Sequence, residues 1–346
     1  MIARDYGTLP SGGKVREFTL QNPHGMAAKV IEYGATLTEL HVPDARGLTA
    51  DVVLGFKNLD GYLSGHPFFG GTIGRVAGRI TGGKFSLDGR NHTLAINNPP
   101  NHLHGGSAGF DKRVWSGQSV ADAHGSDAIK LFRCSPDGEE GYPGNVEVAV
   151  TYSLTAENEL VIQYEATTDR ATPLSLTHHS YFNLSGEGSG DITNHQLEIH
   201  ADAITATDAA MTQLGRLEPV AGKPNDLNQP RQLGDVIPKL LNQHGDNYLL
   251  RRNQPGALVS AARLRDPASG RVMEVLTTES CLQFYSAAVL DWTLNGKSGR
   301  PYPKFGGLCL ECQGYPDGVN TPELGDIILR PGGAYRQTTI YRFTTT

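Results

Sequence analysis

Three short segments, far apart in the chain, each carry a group that can move a proton near neutral pH. They are Asn101-His102-Leu103-His104-Gly105-Gly106, Thr177-His178-His179-Ser180-Tyr181-Phe182-Asn183-Leu184 and Leu308-Cys309-Leu310-Glu311-Cys312-Gln313. Histidine titrates near neutrality, and a nearby glutamate can hold the complementary protonation state. Chemistry that takes a proton from one atom and returns one to another needs such a set. If Leu308 to Gln313 is extended, Cys309, Glu311 and Gln313 share one face and Leu308, Leu310 and Cys312 the other. Leucines toward a core then turn Glu311 toward a cleft. The same alternation separates His178 from His179, so one imidazole faces the cleft and the other packs.

His102 and His104 are spaced as a metal pair on a strand would be, but Gly105-Gly106-Ser107 follows in place of the further ligands of a hydrolytic zinc site, and no metal is expected. The two glycines allow close backbone approach or a sharp turn. Arg75 lies in Gly70-Gly71-Thr72-Ile73-Gly74-Arg75-Val76-Ala77-Gly78-Arg79-Ile80. The glycine spacing matches neither a dinucleotide fingerprint nor a phosphate loop. Arg75 offers fixed donors suited to ligand hydroxyls. Asp246, in His244-Gly245-Asp246-Asn247-Tyr248, is either a turn aspartate or an acceptor for such hydroxyls. Cys309-x-x-Cys312 has redox spacing, but three residues along a strand span roughly 10 Å, beyond disulfide reach.

The elements that must position these groups read as strands. Val146, Val148, Val150, Tyr152 and Leu154 alternate with small or polar residues, as do Leu160, Ile162 and Tyr164 after a polar turn; this is a hairpin. Phe85 to Leu87 and His92 to Leu94 flank Asp88-Gly89, a turn that tolerates positive φ. Leu258 to Leu264 and Val272 to Leu276 form a third hairpin, and Tyr335 to Phe343 a closing strand. Helical periodicity is scarce; Asp235 to Leu241 predicts one short turn. Glycines (42) and prolines (20) are scattered between these runs without period. The expected fold class is all-β, a large antiparallel β-sandwich forming one domain over residues 1–346.

Composition narrows the function classes. A net charge of -6 without basic clusters argues against nucleic acid. No apolar run approaches the ~20 residues that cross a bilayer. Residues 1–7 lack the apolar core of a signal peptide, so a cytoplasmic protein is expected.

Together these segments resemble the aldose 1-epimerase family, also called galactose mutarotases. The resemblance runs nearly end to end. It is carried by Gly74-Arg75-Val76-Ala77, Asn101 to Gly106 followed by Gly109-Phe110-Asp111-Lys112-Arg113-Val114-Trp115, His179 to Leu184, Asp246, Gln283-Phe284-Tyr285, Glu311 with Gln313, Pro316-Asp317 and Leu329-Arg330-Pro331-Gly332-Gly333. It implies a galactose-mutarotase-type sandwich with an open cleft, no cofactor and no metal. It implies Glu311 as general base, His179 as general acid and His104 as a second imidazole near the ring oxygen. Arg75, Asp246 and Gln283 are implied as hydroxyl binders for a monosaccharide substrate. The expected assembly is a monomer or homodimer, without nucleic-acid or membrane partners. Cys312, and Ser286-Ala287-Ala288 after the Gln-Phe-Tyr run, depart from the usual family pattern. A glycoside hydrolase would need a second carboxylate, for which Asp246 or Asp317 could serve. A non-catalytic sugar-binding protein of the same fold is the other alternative.

Overall fold

The computed structural model describes residues 2–122 and 127–346. Its largest sheet has nine antiparallel strands, ordered Ser116–Ala121, Asp127–Ser135, Val146–Leu154, Glu159–Thr168, Tyr335–Thr345, Arg271–Thr277, Val259–Arg265, Gln196–Ile199 and Arg231–Gln232. Two five-stranded sheets accompany it. One is the N-terminal meander from Ile2–Thr8 to Thr49–Asp51. The other runs Gln213–Pro219, Ala201–Thr207, Asn247–Leu250, Cys281–Tyr285 and Cys309–Gln313. Apolar residues of all three sheets, among them Leu20, Val30, Leu131, Val150, Tyr248, Phe284 and Leu310, merge into one buried cluster. The expected antiparallel β-sandwich is what the sheets form.

The alternating sequence explains the layering. Val146, Val148, Val150, Tyr152 and Leu154 are buried, while Glu147 between them is exposed, and they pair with Glu159–Thr168 as the alternation predicts. Asp88 and Gly89 both adopt positive φ (48° and 74°) between Leu87 and Arg90, as a two-residue hairpin loop requires. The third hairpin and the closing strand also form. The expected helical turn begins slightly earlier, at Leu233–Val236, and continues as a 3-10 turn at Ile237–Lys239.

One feature of this packing sets the site. The strand Cys309–Gln313 is an edge strand, yet every residue in it is buried. The closing strand of the large sheet lies beneath it. Gln337 Nε2 donates to the Cys312 carbonyl (3.0 Å), and the Tyr341 hydroxyl to the Leu310 carbonyl (3.3 Å). Leu308, Leu310 and Cys312 enter the main core, so Glu311 and Gln313 project from the opposite face. No described helix is long and apolar enough to cross a membrane.

Candidate active site

Glu311 and Gln313 open into a cavity of about 220 Å³, also lined by Phe68, Arg79, Asn98, His104, His179, Tyr181, His244, Gln283, Tyr285 and Val289. That is below the ~300–1,000 Å³ of pockets for drug-sized ligands. A larger hollow of about 880 Å³ crosses the large sheet, but its lining has no histidine to set against a carboxylate. Gln283 is the cross-strand partner of Glu311, so both side chains share the cavity face. The Gln283 amide is fixed by its Nε2 donating to the Phe284 carbonyl at 2.7 Å.

Glu311 is 2% exposed, and its Oε2 has no hydrogen-bond partner among the described residues. An unpaired buried carboxylate is costly, so burial favours the neutral acid. Burial pushes this carboxyl up to about 8, against a downward pull from Arg79. The nearest opposing group is His179, whose Nε2 lies 3.6 Å from Oε2.

His179 follows the short strand Thr177–His178, which pairs with Thr72–Ile73. Its backbone is tied at both ends: its N–H donates to Gly71, and its carbonyl accepts from Gly70, each at 3.0 Å. The imidazole is stacked between Phe68 (5.5 Å) and Tyr181 (5.2 Å), and its Nδ1 lies 3.4 Å from Cys309 Sγ. This leaves Nε2 toward the glutamate. Burial brings the imidazole down to about 3. The Glu311–His179 pair therefore holds one exchangeable proton across neutral pH, and burial of both groups places it on the carboxyl.

His104 approaches the same imidazole edge-on, with ring centroids 5.2 Å apart. The turn carrying it explains the two glycines. His104 itself has a φ of 52°, and a Cβ on Gly105 would sit 1.8 Å from the Gly74 carbonyl oxygen. The Gly78 N–H donates to His104 Nδ1 at 3.2 Å, and the His104 N–H returns a bond to the Gly78 carbonyl at 3.0 Å. With Nδ1 accepting, the neutral ring carries its proton on Nε2. Burial, then His179 and Arg79, hold His104 well below the usual imidazole range, so it serves as a neutral donor.

His104, His179 and Glu311 bring potential ligand atoms within 4.8 Å of one another. Proximity would suit a divalent ion, but the Gly78 N–H occupies the Nδ1 lone pair and leaves His104 Nε2 protonated, so the donor set fits a metal poorly. A second acidic cluster, Glu39, His41 and Asp51, is already met by Lys29 at 2.8 Å and Lys297 at 2.5 Å.

Two expected site residues lie elsewhere. Arg75 is 2% exposed and does not line the cavity. Its donors are spent on Ser135 Oγ, Thr172 Oγ1 and the carbonyls of Ser135, Pro136 and Pro143, at 2.8–3.1 Å. The arginine of that segment that reaches the cleft is Arg79. Its strand Arg79–Ile80 pairs with His102–Leu103, setting it beside Leu103. Its Nε donates to Asn98 Oδ1 at 3.0 Å, and no described residue bonds its terminal nitrogens. Asp246 faces a separate hollow with Lys223 and Lys239 and accepts from Asn225 Nδ2 at 3.1 Å. The reason is parity: Asn247 pairs with Gln283 and takes the cleft face, so the residue before it points away.

Other candidates are structural. His102 bonds the Ala95 carbonyl and the Tyr142 hydroxyl, both at 2.8 Å. His178 bonds Ser180 Oγ at 2.7 Å and packs against Tyr152 and Tyr341. Asp317 is buried on Thr81 and Asn320. Cys309 and Cys312 occupy opposite faces of their strand as free thiols. Sequence reasoning missed Arg79, His244 and the aromatic walls. Arg79 stood in the quoted glycine-rich segment, but only the pairing with His102–Leu103 distinguishes it from Arg75.

Comparison with known proteins places the chain among aldose epimerases. A family model described as aldose 1-epimerase matches residues 16–342. Human galactose mutarotase is 45% identical over 341 residues, covering 98% of this chain and 97% of its own. The aldose 1-epimerase of Escherichia coli is 35% identical over 350 residues, covering 99% of each. A solved aldose epimerase homologue from C. elegans superposes with a TM-score of 0.88 at 29% identity, over 95% of this chain and 99% of its own. A galactose 1-epimerase from Lactobacillus acidophilus gives 0.84 at 27% identity, over 99% and 98%.

Proposed function

The chain belongs to the aldose 1-epimerase family and is an isomerase that interconverts the anomers of free aldoses, and from that premise we propose how its cleft does so. Glu311 is the general base toward the anomeric hydroxyl, and His179 the general acid toward the ring oxygen. One observation carries this reading: an unpartnered carboxyl oxygen lies 3.6 Å from His179 Nε2 in a cavity of monosaccharide scale.

Ring opening runs through the minor form in which the one proton has passed from Glu311 to His179, leaving a carboxylate facing an imidazolium. Glu311 takes the proton from O1, the C1–O5 bond breaks as the C1 carbonyl forms, and O5 takes the proton from His179 Nε2. The products are a neutral carboxylic acid, a neutral imidazole and an open-chain aldehyde. Burial favours that distribution, because it removes two charges from a low-dielectric site. Phe68 and Tyr181 present their faces to the imidazolium and lower the cost of forming it. The aldehyde end then turns about C1–C2. Closure with the reverse transfers gives the other anomer, so each residue is acid in one direction and base in the other.

His104 supplies a neutral Nε2–H toward O5, where charge develops as the bond breaks. Arg79 donates to ring hydroxyls through its free terminal nitrogens, and Gln283 flanks the glutamate. Galactose and glucose are the proposed substrates, in keeping with the galactose mutarotase relatives. Both carboxylates nominated for a glycosidase partnership, Asp246 and Asp317, point outside the cavity.

The test is polarimetry of fresh α-galactose and α-glucose, corrected for spontaneous interconversion. Turnover should hold across neutral pH and fall as the pH rises through about 8, where the pair loses its only proton. Rates that climb steadily above pH 8 would contradict a shared-proton pair.

A further inference from the structure

We propose that His244 is a specificity-determining residue that accepts a hydrogen bond from one substrate hydroxyl away from the anomeric carbon. The proposal deepens, and rests on, the epimerase reading of the same cleft.

Local backbone geometry delivers this side chain. His244 closes the 3-10 turn Leu241–Gln243, its N–H donating to the Leu241 carbonyl at 3.0 Å. Its carbonyl accepts from Ser286 at 2.8 Å, which fastens it to the end of the strand carrying Gln283. Gly245 follows with a φ of 115°, and a Cβ there would sit 2.3 Å from the Phe284 carbonyl oxygen. The chain can therefore run tight against that strand only through a glycine. The result lays the His244 ring against Tyr285, with centroids 4.4 Å apart, in the wall of the cavity that holds Glu311 and His179.

The polarity of the ring follows from its neighbours. Nδ1 lies 3.4 Å from the Gly245 carbonyl oxygen, a long contact that favours the proton on Nδ1. The neutral tautomer then presents a lone pair at Nε2. No described residue bonds Nε2. Burial, with Arg79 as the second influence, brings His244 down to about 4, so the ring is neutral at pH 7. Among the other groups near a sugar, Arg79 has donors only, Glu311 and His179 are committed to O1 and O5, and Gln313 Oε1, beside Glu311 on its strand, is a second open acceptor. A sugar hydroxyl brings a donor that one of these walls must accept, and a neutral imidazole packed at a tilt of 38° against the Tyr285 ring holds such an acceptor in place. A site built to bond a hydroxyl discriminates strongly against the sugar lacking it.

The experiment measures kcat/KM for galactose and for its 2-, 3-, 4- and 6-deoxy derivatives, on wild-type protein and on His244→Phe and His244→Gln. Phenylalanine keeps the ring against Tyr285 and removes the acceptor; glutamine keeps an acceptor. For one deoxy position the wild-type preference for galactose should be on the order of 10-fold. It should collapse to about one in His244→Phe and survive largely in His244→Gln, with the other positions unchanged. Survival of all four preferences in His244→Phe, or a uniform loss across them, would overturn the assignment. If His244→Phe does not fold, collapse of every preference in a folded His244→Gln would also overturn it, and retention of one preference lost in His244→Leu would support it. A wild-type protein that accelerates no aldose would remove the epimerase reading itself, a result separable from a failure of His244 alone.

Discussion

Arg75 and Arg79 stand four residues apart and have opposite fates. Around Arg75 the protein meets the guanidinium with hydroxyls and backbone carbonyls. Around Glu311, Arg79 and His179 it leaves polar atoms open: one carboxylate oxygen, two guanidinium nitrogens and the Gln313 Oε1. Glu311 and His179 are as buried as Arg75, and Arg79 is half-buried, so burial alone does not separate the regions. Saturation does. Proteins normally satisfy buried polar groups, and places where they do not are held in reserve for a ligand or paid for elsewhere.

The largest effect should come from the open region. Glu311→Gln removes the base while keeping size and shape, and kcat should fall about 10²–10⁴-fold. His179→Asn should cost at least about 10²-fold. Since the two residues share one proton, the double variant should be little worse than the poorer single one. Neither substitution removes a strong bond that holds the fold, so both variants should remain folded under assay conditions. Near-normal turnover in either variant would show that its openness serves no chemistry.

The closed region should give the reverse pattern. Arg75→Met leaves three backbone carbonyls and two hydroxyls without their donor, and should cost about 3 kcal/mol in urea unfolding. Turnover per folded molecule should be unchanged, because Arg75 does not reach the cavity. A variant that unfolds normally but binds sugar poorly would reverse the assignment of the two arginines. Arg79→Gln sharpens the same contrast. Losing charge-assisted bonds to hydroxyls should raise KM roughly 10- to 100-fold with only a modest change in unfolding.

Much of this contrast was legible before the fold was known. Strand alternation placed Glu311 and Gln313 opposite Leu308, Leu310 and Cys312, and separated His178 from His179; both divisions hold. The hairpins followed from period-two patterns and an Asp-Gly turn. Other features were hidden because they depend on pairing between distant segments. Asp246 differs from its neighbour Asn247 only by strand parity, and the cleft face is set by the Asn247–Gln283 register. Arg79 gains its place from a two-residue pairing with His102–Leu103. His244 depends on a glycine pressed against a strand that ends some 40 residues later in sequence.

Per unit of pH, the smallest effect is a slope. Glu311 has a folded-state value near 8, against an ordinary carboxyl value of 4.5. Between those limits the native protein holds a proton that the unfolded chain has released. The raised group therefore contributes stability that is full below about pH 4.5 and is lost as the pH rises through about 8. One proton of difference corresponds to roughly 1.4 kcal/mol per pH unit at most. Glutamine has no proton to lose. The stability of Glu311→Gln relative to wild type should thus improve steadily from pH 5 to pH 8 in urea unfolding series. Arg75→Met, in the saturated region, should run parallel to wild type over the same range. Parallel curves for all three proteins would mean that Glu311 is ionised throughout, and the shared proton with His179 would have to be abandoned.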